Sequence, residues 1–280
     1  MTRTVGIEAF YWLDTWADDQ TTVFEKAAAS GFDGVEISLV AGVEIDVKGI
    51  AEAAKRARVS IACSTGLTLD RDISSPDPVV RAAGVTHLTQ SLHQAADLGS
   101  PILGGVTYSP WMTFLPGDRS EYRKRSTDCL RDLAEVASEL GVTICLEVLN
   151  RFESNMFNTV GECCEFLDEI GHQSVMVEVD TFHMSMEEDD LSQAILLAGD
   201  RLGHVQVAAN NRRAPQFGHI DWKPFKDSLD SIGYDGWVVF ETFPNPRVET
   251  GRSTYAWRDL AVSLDEEAQD AATHIRRCIA

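Results

Sequence analysis

The sequence predicts an α/β fold, a TIM-type (β/α)8 barrel spanning residues 1–280 as one domain. Three observations carry this. Short apolar strand patterns alternate with helical segments eight times along the chain. At 280 residues the chain is close to the ~250 residues of one such barrel. Four strands end on a polar residue, at intervals of 33, 26 and 35 residues, about the length of one strand plus one helix.

The strands read TVGIEAFYW, DGVEISLV, SIACSTGL, PILGGVTY, TICLEVLN, SVMVEVDTF, GHVQVAAN and GWVVFETF. Each is rich in branched residues and bounded by Gly, Ser, Pro or Asp. Clear helical segments run from Thr21 to Ser30, Pro78 to Leu98, Glu121 to Leu140 and Trp222 to Ile232. Gly31, Gly99, Gly141, Gly171 and Gly233 each follow a helical run and precede a strand, as helix-ending glycines do. Asn158 and Asp221 are candidate N-caps. Strict alternation favours a parallel sheet, and eight units favour its closure. The polar segment from Pro244 to Ser263 reads as a loop with a short helix, placed near the barrel mouth or at an oligomer contact.

Composition narrows the functional class. The net charge of −20 repels phosphate backbones and argues against nucleic-acid binding. No apolar run approaches the roughly 18 residues that span a membrane. The six cysteines are scattered without CxxC spacing, which fits free thiols in a reducing, cytoplasmic setting. The N-terminus enters a strand pattern directly and offers no signal peptide.

The four polar strand ends are Glu147 in ICLEVLN, Asp180 in VMVEVDTFHM, Gln206 in GHVQVAAN and Glu241 in WVVFETF. Such barrels keep their active sites at the C-terminal ends of the strands. Two glutamates, an aspartate and an amide oxygen form an oxygen-rich set suited to a hard divalent metal. Side chains alternate along a strand, so Glu178 and His204 fall inward one step deeper, as a candidate buried pair. A metal at the upper residues could grip adjacent oxygens of a polyol and stabilise the enediolate formed when a neighbouring C–H loses its proton. Glu147 and Glu241, from the fifth and eighth strands, could then act on opposite faces of a planar intermediate, as epimerisation requires. His183 either touches substrate or makes a loop hydrogen bond. Arg212 either holds a substrate hydroxyl or forms an ion pair. Trp12, Trp16 and Trp111 either wall a sugar face or pack in the core.

The motifs GFDGVEIS, SPDPVVRAAG, LEVLNRFE, DTFHMSMEE, DRLGHVQV, NNRRAP, IGYDGWVVFETF and WRDL run nearly end to end. With them the chain resembles the sugar phosphate isomerase/epimerase superfamily, and within it the ketose 3-epimerases acting on tagatose and psicose. The resemblance implies a divalent metal, Mn²⁺ foremost, with Co²⁺ or Mg²⁺ as alternatives. It implies that Glu147, Asp180 and Glu241 are ligands, with Glu147 and Glu241 also moving protons, and that Glu153, His183 and Arg212 bind substrate oxygens. Gln206 stands where those enzymes carry a histidine ligand, and Ala209 where they carry an acid. Glu8 stands where an aromatic residue lines the sugar pocket, so Glu8 and Trp111 join the substrate-binding candidates. The catalytic subunits of C-glycoside deglycosidases resemble the same group, and a pocket altered at Glu8, Gln206 and Ala209 could suit their larger 3-keto-glycosides. A sugar-binding protein without activity is the third reading. The expected partners are a small keto-sugar or keto-glycoside, and either further copies of the chain or a small second subunit.

Overall fold

The computed structural model describes residues 2–280. Eight strands close into a parallel barrel in sequence order, the first pairing with both the second and the eighth. They are β1 Thr4–Glu8, β2 Gly34–Ser38, β3 Ser60–Leu67, β4 Ile102–Pro110, β5 Thr143–Glu147, β6 Val175–Asp180, β7 Leu202–Val207 and β8 Trp237–Phe240. Several are shorter than the apolar runs that announced them. Val148 to Asn150 and Ala208 to Asn210, for example, leave the ladder at the C-terminal end and turn into loops.

The helices stop where the chain can turn left-handed. Gly99, Gly141 and Gly171 cap the helices Pro78–Leu98, Ser120–Leu140 and Val160–Ile170 with φ near +70°, a conformation that costs glycine no side-chain clash. Asp221 caps the helix Trp222–Ser231. The other expected N-cap moves by one residue: Thr159 caps Val160–Ile170 in a capping box with Glu162, and Asn158 donates its main-chain N–H to the same glutamate. No helix is long and apolar enough to cross a membrane among the described residues.

Two apolar layers hold the barrel. The larger lies between strands and helices and includes Val5, Ile7, Phe24, Leu92, Leu133, Phe166, Phe225 and Ile275. The smaller plugs the N-terminal half of the barrel bore with Ala62, Ile102, Cys145, Trp237 and Val239. Trp237 fits because β1 and β2 give way to it. A Cβ on Gly34 would stand 2.3 Å from the indole and one on Gly6 would stand 3.0 Å from it. With the bottom of the bore sealed by this indole, the inward polar side chains stack above it towards the mouth.

Gly34→Ala therefore overpacks the plug. It should destabilise the fold by ~1–3 kcal/mol, read as a lowered midpoint of denaturant unfolding, and the loss should shrink when Trp237 is shortened to Leu in the same chain.

Candidate active site

Strand tilt sets the depth of each polar residue. Ladder partners in a closed barrel need not share a level. Glu147 is paired with Glu178 across β5 and β6, yet Glu147 lines the cavity at the mouth while Glu178 is fully enclosed. Asp180 and Gln206 are paired across β6 and β7. Glu241 follows the last residue of β8, tied to β7 by its main-chain N–H to Val207 O.

The cavity measures about 1040 Å³. Its floor carries Glu147, His183, Gln206, Arg212 and Glu241, and its walls include Trp16, Trp111, Glu153, Phe182 and Phe243. Tyr255, Trp257 and Leu260, from the Pro244 to Ser263 segment, form part of the rim, so this segment sits at the mouth. Glu8 and Trp12 lie elsewhere. The carboxylate of Glu8 is buried beneath the floor, where Oε1 accepts from Phe10 N (3.3 Å) and Ser38 Oγ (3.2 Å). Trp12 packs in the outer layer and donates to Asp265 (3.1 Å).

Two side-chain constellations meet at the floor. The first orients Glu147. His183 Nε2 stands 3.3 Å from Glu147 Oε1. On its other nitrogen, His183 Nδ1 accepts from the main-chain N–H (3.3 Å) and side-chain amide (2.6 Å) of Asn150. The Asn150 amide also donates to Glu153 Oε1 (2.9 Å), and Trp111 Nε1 donates to Glu153 Oε2 (2.8 Å). With Nδ1 serving as acceptor, the proton of a neutral imidazole lies on Nε2 and points at Glu147. Burial pulls the His183 pKa down, but Glu147, Glu153 and Asp180 outweigh it and raise the value above the ordinary one. Asn150 was overlooked in the sequence; its signal was the three-residue spacing to Glu153, which the turn after β5 closes.

The second constellation is built on Arg212. Its guanidinium spans Asp180 and Glu241, bonded to a carboxylate oxygen of each. It lies over the rings of Phe182 (4.8 Å) and Phe243 (5.6 Å). Arg212 takes φ +62°, a left-handed backbone that a non-glycine residue holds only under constraint. Thr242 Oγ1 donates to its carbonyl and helps to fix the turn. Burial pushes the Glu241 carboxyl well above the usual range against the pull of Arg212, with Asp180 and Glu147 adding repulsion.

The oxygen donors fit a divalent cation. Glu147 and Asp180 bring carboxylate oxygens within 4.8 Å of each other, beside His183, whose two nitrogens are engaged by Glu147 and Asn150. Gln206 adds an acceptor with no protein partner: its Nε2 donates to Glu36 Oε1 (2.8 Å), and its Oε1 is buried and unsatisfied. A bound cation would satisfy this oxygen, and oxygen-rich sets suit hard ions.

Beneath lies a buried polar layer. His204 Nε2 is 2.5 Å from Glu36 Oε2, so its hydrogen-bond partner is Glu36, with Glu178 alongside. Glu178 reaches across to β4, where Gly105 N donates to its Oε2 (2.7 Å) and Gly104 leaves room that a Cβ would fill. Burial, with the charges of Glu147 and Glu36, holds the Glu178 carboxyl well above its ordinary pKa.

A family model for xylose isomerase-like TIM barrels matches residues 24–278. The chain belongs to the xylose isomerase-like TIM barrel family. It is 35% identical over 270 residues to a D-psicose 3-epimerase of Ruminiclostridium cellulolyticum, covering 95% of this chain and 92% of the relative. It is 31% identical over 247 residues to a 3-dehydro-D-guloside 4-epimerase of Escherichia coli, covering 84% and 90%. The crystal structure of a D-allulose 3-epimerase from Methylomonas sp. superposes with a TM-score of 0.93 at 32% identity, covering 99% of this chain and 98% of that one. The likeness to ketose 3-epimerases that the motifs suggested is thus borne out over nearly the whole chain.

Asn150→Ala leaves His183 Nδ1 and Glu153 Oε1 without their shared donor. We expect a loss of ~1–3 kcal/mol in stability, read by chemical denaturation. Asn150→Asp should fare worse than Ala, since it adds a buried charge between Glu153 and His183.

Proposed function

We propose that the protein catalyses divalent-metal-dependent enolisation of a keto-sugar, in the manner of a ketose 3-epimerase. One observation carries this reading. Glu147 and Glu241 stand on β5 and just past β8 at the floor of one cavity, each held by its own positive or hydrogen-bonding partner.

Glu147, Asp180 and Glu241, with Gln206 through Oε1, would hold the cation. Bound there, it supplies a positive charge that polarises the substrate carbonyl and an adjacent hydroxyl. Mn²⁺ suits the oxygen donors, and Co²⁺ or Mg²⁺ could replace it. Glu147 removes a proton from the carbon next to the carbonyl on one face, and Glu241 returns one on the other. His183 and Asn150 keep the Glu147 carboxylate aimed. Arg212, His183 and Glu153 offer charged or hydrogen-bonding groups to substrate oxygens, and Trp111 an apolar wall. The relatives named for psicose and allulose support a ketose as substrate.

The size of the cavity favours a second reading. At about 1040 Å³ it lies at the upper end of the ~300–1,000 Å³ typical for drug-sized ligands. A free six-carbon sugar leaves much of it unfilled. Its outer wall is apolar and open: Phe152 is 66% exposed and Trp257 71%. A keto-glycoside with an apolar aglycone would cover these residues, and the E. coli relative is named for a guloside. The same first proton removal then leads to epimerisation or, with a small partner subunit, to elimination of the aglycone. Glu8 supports the floor in either reading, and a cytoplasmic location with further copies of the chain accords with both.

Incubation with fructose, psicose, tagatose and a 3-keto-glycoside separates the two. Interconversion of free ketoses by the chain alone supports the first; turnover confined to the glycoside supports the second. Chelation should abolish either activity, and Mn²⁺ should restore it. Glu147→Gln and Glu241→Gln should each slow solvent-deuterium exchange into substrate by about 10²–10⁴-fold with unchanged circular dichroism. Exchange at the parental rate in both variants would sink the two-base assignment. Gln206→His should tighten binding of Co²⁺ and Zn²⁺ if this side chain is a ligand; unchanged affinity for every metal removes it from the set.

A further inference from the structure

Below the cavity floor, the barrel encloses groups for which the proposed proton chemistry has no use. Glu36, Glu178 and His204 come from β2, β6 and β7, and all are fully buried. Each offers one ligand atom, and the three atoms lie within 4.8 Å of one another. Glu8 adds a further buried carboxyl beside Glu36 on the neighbouring strand.

Hydrogen bonding leaves this layer incomplete. Glu178 Oε1, His204 Nδ1 and Glu8 Oε2 are enclosed polar atoms without any protein partner. The Glu178 side chain is held in place by the Gly105 amide on Oε2, so its free oxygen is fixed rather than mobile. The composition of the layer points the same way. Three carboxyl groups are buried with one imidazole, and Arg212 above them is engaged with Asp180 and Glu241. A divalent cation bound here would take the place of the protons that burial favours on such carboxyl groups.

We propose that Glu36, Glu178 and His204 form a second divalent-metal site beneath the first, with Gln206 as the partition between them. Gln206 is suited to that place because its Nε2 bonds downward to Glu36 while its Oε1 stays free. One imidazole nitrogen with two carboxylates suits borderline ions such as Zn²⁺ or Co²⁺, whereas the all-oxygen candidates above suit Mn²⁺ or Mg²⁺. Ligands ~2.1 Å from one ion stand about 3 Å or more apart, so His204 and Glu36 would separate slightly from their 2.5 Å contact on binding. Gln206 lines the cavity and bonds to Glu36, so its side chain lies on a direct route from the cavity to the enclosed layer.

The test is metal counting and release on the folded chain, with no substrate. Chelator-stripped protein is dialysed against Zn²⁺ or Co²⁺, then the bound metal is measured and its transfer to a chromophoric chelator is timed. We expect about two ions per chain, leaving in one fast and one slow phase. Glu178→Gln and Glu36→Gln should each remove the slow phase and one ion; Glu241→Gln should weaken the fast one instead. One ion per chain in the parent protein, or a slow phase unchanged in both deep variants, overturns the proposal. If the deep variants fail to fold, the parental stoichiometry and the number of release phases still decide it. This site stands apart from the keto-sugar reading: loss of the slow phase with exchange chemistry intact, or the reverse, tells the two apart.

Discussion

Six carboxyl groups share the bore of this barrel: Glu8, Glu36, Glu147, Glu178, Asp180 and Glu241, every one of them buried. Crowding so many carboxyl groups at buried positions is the constraint to which the upper half of the molecule answers. Arg212 meets it by spanning Asp180 and Glu241, held in a left-handed backbone between two phenylalanine rings. His183 meets it at Glu147, and His204 at Glu36. Other groups rely on hydrogen bonds, Glu178 on the Gly105 amide and Glu8 on Ser38 and Phe10. What these partners leave unsatisfied, Gln206 Oε1 above all, is an acceptor that a cation would satisfy.

The lower half makes that concentration of charge affordable. Trp237 closes the bore against Gly6 and Gly34, so the polar layers rest on an apolar plug. Apolar packing and polar groups are thereby separated along the barrel bore, the first at the N-terminal end of the strands and the second at the C-terminal end.

Much of this was legible in the sequence, for a physical reason. Parallel strands buried on both faces must be apolar, so a polar residue at the tail of such a run stands out, and Glu147, Asp180, Gln206 and Glu241 did. The repeated interval between them follows from the length of a βα unit. What stayed hidden depends on neighbours far apart in the chain. Glu36 lies 168 residues from His204, and nothing local in GFDGVEIS says that they meet. Glu178 looked like the natural partner of His204 because their strands are adjacent, but strand tilt brings Glu36 to the imidazole from across the bore. Glu8 could not be told from a cavity residue, because one turn of backbone decides whether a first-strand carboxylate faces the mouth or the floor. The amide orientation of Gln206 and the Asn150 bridge likewise exist only once the loops have closed.

The rim and the floor belong to different stretches of chain. Tyr255, Trp257 and Leu260 hang from a segment anchored by Thr250, whose N–H and hydroxyl donate to the carbonyls of Asp14 and Leu13. The carboxylates sit on or beside the strands themselves. Grafting a different segment between Pro244 and Ser263 would thus change the rim while leaving the carboxylate floor untouched, which makes this stretch the natural place for divergence, or for a directed-evolution library, to begin.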